Sequence, residues 1–223
     1  MKPNYSLATT TAYKTLIYNN IPLPIDPYKI KLQNTKIKII SMQEFSKRFN
    51  VSLNEMTQYG LCNDGYNIVK KKNGIKQATI LYNEDIISNE RKRFTIAHEI
   101  GHIALGHLEY SLSNEKEADV FASQLLLPHC LLEQLVKFGK SVPESYLKEK
   151  FGLSNEAAHI SKLNVGKKMS SNAVNNLEDI ILNMYKDFIN TETYNTKYRY
   201  YEEDEEMELI RNSWYWFQLF VVY

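Results

Sequence analysis

The run Arg93-Phe94-Thr95-Ile96-Ala97-His98-Glu99-Ile100-Gly101-His102 constrains this 223-residue chain more than any other stretch. On a helix each residue turns about 100°, so His98 and His102 lie about 40° apart, one turn above the other, with their imidazoles on one face. Ala97, Gly101 and Ala104 give that helix a stripe of small side chains, so that a second helix can approach it closely. Glu115 to Leu127 supplies a partner, because Ala118, Ala122 and Leu125 stack at helical spacing into an apolar face. The chain is therefore expected to hold two helices in close contact, with the histidines at their seam.

Two imidazoles one turn apart can converge on a single metal ion. Glu99, between them in sequence, has an azimuth that brings its carboxylate towards a water held by that ion, as a general base would need. The ion would lower the pKa of that water and polarise a carbonyl. A third protein ligand is required, with the fourth position left open. An HExxHxxGxxH scheme would need glycine at position 105 and histidine at 108, and the chain has Leu105 and Leu108. On a continuing helix His107 would point about 180° from His98, so it reads as a polar residue near the helix end, where Gly106 weakens the helix. The other scheme takes a carboxylate from the second helix. Glu115 lies about 60° from Ala118, whereas Glu117 lies about 100° away on the other side and about 140° from Ala122. Glu115 is thus the expected ligand and Glu117 the fallback. Asp119 shares the edge of Glu115 and is expected to accept the spare N–H of a ligand histidine, fixing its tautomer.

These residues, with Glu115-Lys116-Glu117-Ala118-Asp119-Val120-Phe121-Ala122 and Leu125-Leu126-Leu127-Pro128, resemble the ImmA/IrrE family of bacterial metallopeptidases. A looser similarity runs from about Ala12 to about Leu163. The resemblance implies a zinc-dependent, cytosolic protease that cuts a helix-turn-helix repressor of the Xre type and so derepresses mobile-element or stress genes. It implies His98 and His102 as Zn2+ ligands, Glu99 as the base and the glutamate of the second helix as the third ligand. Many members carry Asn where this chain has Asp119, and both residues can accept a hydrogen bond. The competing reading is a non-catalytic regulator that binds or sequesters a repressor or DNA and keeps the metal as a structural or sensing element. Glu99 argues against it, because a structural zinc site is usually closed by four protein ligands.

The formal net charge of +1 leaves no overall field to draw the chain onto nucleic acid or membrane. Cys62 and Cys130 form no CxxC pair and read as free thiols in a reducing compartment. Asn4, Ser6 and three threonines interrupt the start of the chain, so no signal peptide is expected. The apolar run from Trp214 to Tyr223 contains Gln218 and is about half the length needed to cross a bilayer. A cytoplasmic protein is the expectation, and the sequence leaves its oligomeric state open.

Along the chain, residues 7–19 read as a helix with Ala12, Leu16 and Ile17 inward, and Asp26 as the cap of a helix through Ile30 and Leu32. Lys36 to Ile40 alternates as a strand does. Ser41 with Glu44, then Ser52 with Glu55, are capping-box spacings for two helices that also outline a helix-turn-helix. Lying between candidate strands, they are read as a helical cover over the sheet. Tyr66 to Lys72 and Ile75 to Tyr82, joined by Asn73-Gly74, read as a hairpin whose lysine-rich tip is solvated. Gln77 to Tyr82 is the expected edge strand for holding an extended substrate backbone. Ser88 is the expected cap of the histidine helix, Arg91 to Gly106.

Tyr146 to Phe151 and Asn155 to Leu163, the latter capped by Ser154, form a second helix-break-helix outline. Lys148, Lys150, Lys162, Lys167 and Lys168 could touch phosphates, but Glu156 in the first turn of the would-be reading helix disfavours DNA. Packing or repressor docking is the preferred role. After a polar linker at 169–175, a helix from Asn176 to Ile189 would bury Leu177, Ile180, Ile181, Met184 and Phe188. An aromatic, then acidic, then apolar tail follows it. The organisation expected is a zinc metallopeptidase domain over 1–130, a helix-turn-helix-like module over 131–168, and a C-terminal helix and tail over 169–223. The expected fold class is α+β: a small, mostly antiparallel sheet packed on helices that include the histidine helix, with a helical appendage at the C-terminus.

Overall fold

Local signals set most element boundaries. In a computed structural model, which describes residues 2–59, 64–137, 142–165 and 172–194, the chain order is α1 (Tyr5–Asn19), β1 (Thr35–Ser41), α2 (Met42–Phe49), α3 (Leu53–Tyr59), β2 (Gly65–Lys72), β3 (Ile75–Tyr82), α4 (Asn89–Leu105), α5 (Leu112–Leu126), α6 (His129–Lys137), α7 (Glu144–Phe151), α8 (Asn155–Leu163), α9 (Asn172–Met184) and α10 (Lys186–Tyr194). Ser41, Ser88, Ser111 and Ser154 each accept a backbone N–H of the first turn of α2, α4, α5 and α8. Such caps are worth about 1 kcal/mol each, because they satisfy donors that the helix itself cannot. Ser52 and Glu55 close the expected capping box reciprocally, each side chain accepting the other's backbone N–H. Asp26 caps only a single turn of 3₁₀ helix, Pro27–Lys29, and no longer helix follows.

The fold is α+β, with a mixed sheet in the order β1-β3-β2. The Asn73-Gly74 turn joins β2 and β3 as an antiparallel hairpin, both of its residues having positive φ. β1 runs parallel to β3, in register Ile37↔Ala78 and Ile39↔Ile80. β3 is therefore the central strand. Gln77 to Tyr82 is paired on both sides and cannot receive an added strand, which corrects the expectation placed on it. Among the described residues β2 has β3 as its only neighbour in the sheet.

Strand alternation divides the apolar residues between two clusters. Ala78 and Ile80 face the main core, while Leu81 and Ile40 face a smaller one with Met42 of α2 and Met56 of α3. The helix pair at 42–59 thus covers the sheet. The main core is continuous from Ala8 of α1 through Ile96, Ile100, Phe121, Leu125 and Leu131 to Phe151, Ile181 and Ile189. The C-terminal helix expected over 176–189 is two helices. They break at Tyr185, whose buried ring sends its Oη to donate to Ile21 O at 2.8 Å. Ile181 is buried there, but Ile180 is 46% exposed and lies off the packed face. Cys130 is buried, whereas Cys62, Lys167, Lys168 and the aromatic and acidic tail lie outside the described residues. No helix among the described residues is long and apolar enough to cross a membrane.

Arg93, on α4, ties distant segments together. Its guanidinium donates to the carbonyls of Phe151 and Gly152 at the end of α7 and to Ile25 O at 2.6 Å. Burial lowers its pKa, an effect opposed by the nearby Asp26 and Glu90. Arg93→Ala is expected to cost about 2–3 kcal/mol, since three carbonyls lose a charged donor at once. A fall in the urea midpoint at unchanged slope would register it.

Candidate metal centre

The site lies where α4 meets α5. Gly101 makes the close approach possible: a Cβ there would stand 3.0 Å from Cδ1 and 3.2 Å from Cβ of Phe121. Phe121, fully buried, fills the groove that the small stripe leaves open. On the other side of α4, Gly65 opens β2 in the same way, a Cβ there falling 2.6 Å from Thr95 Cγ2 and 3.0 Å from Leu81 O. The helix is thus wedged between the sheet and α5.

This packing brings His98, His102 and Glu115 together. Among the described residues they form a group able to hold a metal ion, with one donor atom from each within 4.8 Å of the others. His98 Nε2 and His102 Nε2 are 3.0 Å apart, and each is 3.4 Å from an oxygen of Glu115. A tetrahedral ion with ligands at about 2.0–2.1 Å needs donors about 3.3 Å apart, so the spacing fits. Asp119 takes the position expected of it, its Oδ1 lying 2.9 Å from His98 Nδ1. That contact directs the Nδ1–H outward and leaves the Nε2 lone pair facing Glu115.

The electrostatics point the same way. Burial opposes a charge on His98, but the hydrogen bond it donates to Asp119 and the charges of Glu99, Asp119 and Glu115 outweigh it and raise its pKa. His102 is pushed down to about 3 by burial and by its histidine neighbours His98 and His107, so it stays a neutral lone-pair donor. Carboxylates surround a pair of imidazoles that cannot both be charged, and a single cation meets both demands.

Glu99 lies beside this group, 6% exposed. Burial raises its pKa, with Glu115 adding to the rise; the hydrogen bond from Asn67 and the charge of His98 oppose it. Asn67 Nδ2 donates to Glu99 Oε2 at 2.6 Å. Asn67 was not among the residues expected from the sequence. Its signal was its strand register: opposite the buried Ile80 on the sheet's core side, it is a polar residue where an apolar one would be the rule.

Glu117, the fallback ligand, points elsewhere. Its Oε1 accepts the backbone N–H of Asn4 at 2.7 Å and its Oε2 lies 3.1 Å from His107 Nε2. His107 lies at the helix end as its sequence reading has it, but its ring does not point away from His98 as it would on a continuing helix. Gly106 ends α4 with φ 75°, the left-handed conformation that glycine adopts without strain, so the helix does not continue. The chain folds back, His107 N donates to His102 O at 3.0 Å, and His107 Nδ1 comes to rest 3.0 Å from His102 Nδ1.

A histidine helix pressed between a small mixed sheet and a second helix, with two imidazoles and a carboxylate converging beside a buried glutamate, defines a metallopeptidase type of protein. The model of the IrrE N-terminal-like domain, Peptidase_M78, matches residues 49–161, and the chain belongs to that family. Among the curated proteins no match is found.

Proposed function

We propose that this chain is a zinc-dependent endopeptidase that cuts a helix-turn-helix repressor at a specific bond and thereby derepresses the genes that the repressor controls. The observation that carries the reading is the convergence of His98 Nε2, His102 Nε2 and the Glu115 carboxylate beside Glu99. Zn2+ held by those three side chains would supply a Lewis acid that brings the pKa of water towards neutrality and polarises a carbonyl. The remaining work falls to the protein. Glu99 accepts a proton of the attacking water and delivers it to the leaving nitrogen, so that the C–N bond breaks to a carboxylic acid and a neutral amine, and the acid's proton then passes to the amine to leave a carboxylate and an ammonium. Its burial suits that role, since a carboxyl raised above the usual range holds a proton long enough to pass it on. Asn67 fixes one of its oxygens and leaves the other for the water.

The outer edge of β2, the strand on which Asn67 stands, has no strand beside it among the described residues and is the place for an extended substrate segment to pair its backbone. This replaces the central strand β3 in that role. The choice of a repressor as substrate rests on the family resemblance, as does a cytoplasmic site of action, and direct contact with DNA forms no part of the reading.

The test is incubation of the purified protein with the helix-turn-helix repressor encoded beside it, with zinc or with a chelator, read by intact mass. Two discrete fragments only in the presence of zinc are expected. An intact repressor held in a stable complex under both conditions would replace hydrolysis with sequestration.

A further inference from the structure

His107 and Glu117 are the most enclosed titratable pair beside the metal centre that the reaction itself does not use. Their side chains are 9% and 12% exposed, so water cannot readily replace the partners they have. His107 Nδ1 lies 3.0 Å from His102 Nδ1, His107 Nε2 lies 3.1 Å from Glu117 Oε2, and Glu117 Oε1 accepts from Asn4 N at 2.7 Å. From these contacts we infer that His107 and Glu117 form a relay that holds His102 in its Nδ1–H tautomer, with the Nε2 lone pair turned towards His98 and Glu115.

The argument is one of donors and acceptors. A carboxylate can only accept, so Glu117 requires a proton on His107 Nε2. A neutral His107 then has a bare Nδ1, which accepts, and the atom facing it must be His102 Nδ1–H. The opposite assignment would set the bare Nε2 of His107 against a carboxylate oxygen, two lone pairs about 3 Å apart with no proton between them. The two histidines of the centre are therefore oriented through the same ring atom. Asp119 holds His98 Nδ1 directly, and Glu117 holds His102 Nδ1 through the intervening ring of His107. Asn4, the cap of α1, fixes the far end, so the relay also joins α1 to the site.

His107 and Glu117 are positioning residues; the effect on metal affinity, and the approach of the bare Nε2 atoms of His98 and His102 to 3.0 Å, rest on the metal-site reading above, whereas the contacts of His107 do not. Two measurements separate them. Imidazole ¹⁵N shifts of the metal-free protein should show His102 protonated on Nδ1 and His107 on Nε2. Co2+ titrations should then show affinity falling about 10–100-fold in His107→Leu, as is usual for the outer partner of a ligand histidine. His107→Gln, which keeps an acceptor and a donor on one planar group, should recover most of the loss. His102 protonated on Nε2 in the wild type would overturn the relay, as would a His107→Leu variant that binds Co2+ as tightly as wild type. Equal losses in His107→Leu and His107→Gln with the His102 tautomer unchanged would reduce the role of His107 to packing and overturn it too. A wild type with the expected tautomers that binds no Co2+ would refute the metal reading and leave the relay standing.

Discussion

Glu99→Gln is expected to lower the rate of the proposed peptide-bond cleavage by about 10²–10⁴-fold, the usual contribution of a positioned general acid–base. The substitution keeps the shape of the side chain and an oxygen for Asn67 to donate to, so the change removes proton acceptance and little else. Glu99 is not among the three side chains that form the candidate metal group, and metal affinity should hold at the wild-type value. Single-turnover cleavage and a Co2+ titration on the same preparation separate the two effects. Cleavage within about tenfold of wild type would remove Glu99 from the role of base. A loss of cleavage accompanied by a loss of metal would assign it a structural part instead.

Phe121→Ala is expected to destabilise the protein by about 3–5 kcal/mol, the range for deleting a buried aromatic ring from a core. Phe121 is fully buried, and its ring edge meets α4 where Gly101 leaves room, so the cavity opens at the seam of α4 and α5. For a chain of this size that corresponds to a fall of roughly 6–20 °C in the melting temperature. Glu115 is carried by the same helix, less than two turns before Phe121, and must face two histidines on the other. Metal affinity should therefore fall along with stability. A melting temperature within about 2 °C of wild type would mean that other contacts hold the two helices together.

The expected losses in these two variants come from different levels of the structure, and the sequence made those levels legible to different degrees. His98, Glu99 and His102 needed only the pitch of a helix to be placed together. Glu115 and Asp119 needed one further inference, that an alanine face would seek a small-residue stripe, and Gly101 against Phe121 is that contact. Helix starts were equally local, because a serine that accepts the N–H three residues on acts within one turn, as at Ser41, Ser88 and Ser154. The Asn73-Gly74 hairpin belongs with these, its positive φ values being a property of the two residues themselves.

Where sequence reading failed, the deciding interaction was distant in the chain. The order β1-β3-β2 makes β3 central, and nothing in Gln77 to Tyr82 says that β1, some forty residues earlier, will pair with its free side. Asn67 meets Glu99 only because Gly65 lets α4 settle against β2. The break at Tyr185 goes with a hydroxyl that donates to Ile21 O across 164 positions. His107 reads as a polar residue at the helix end, but its contact with His102 escapes that reading, because it depends on the left-handed turn at Gly106 that sends the ring back. Helical pitch, capping and turn chemistry act over a few residues and can be read directly from the sequence. Strand order, close approach of backbones and the pairing of buried polar groups depend on which surfaces meet, and only the tertiary structure decides that.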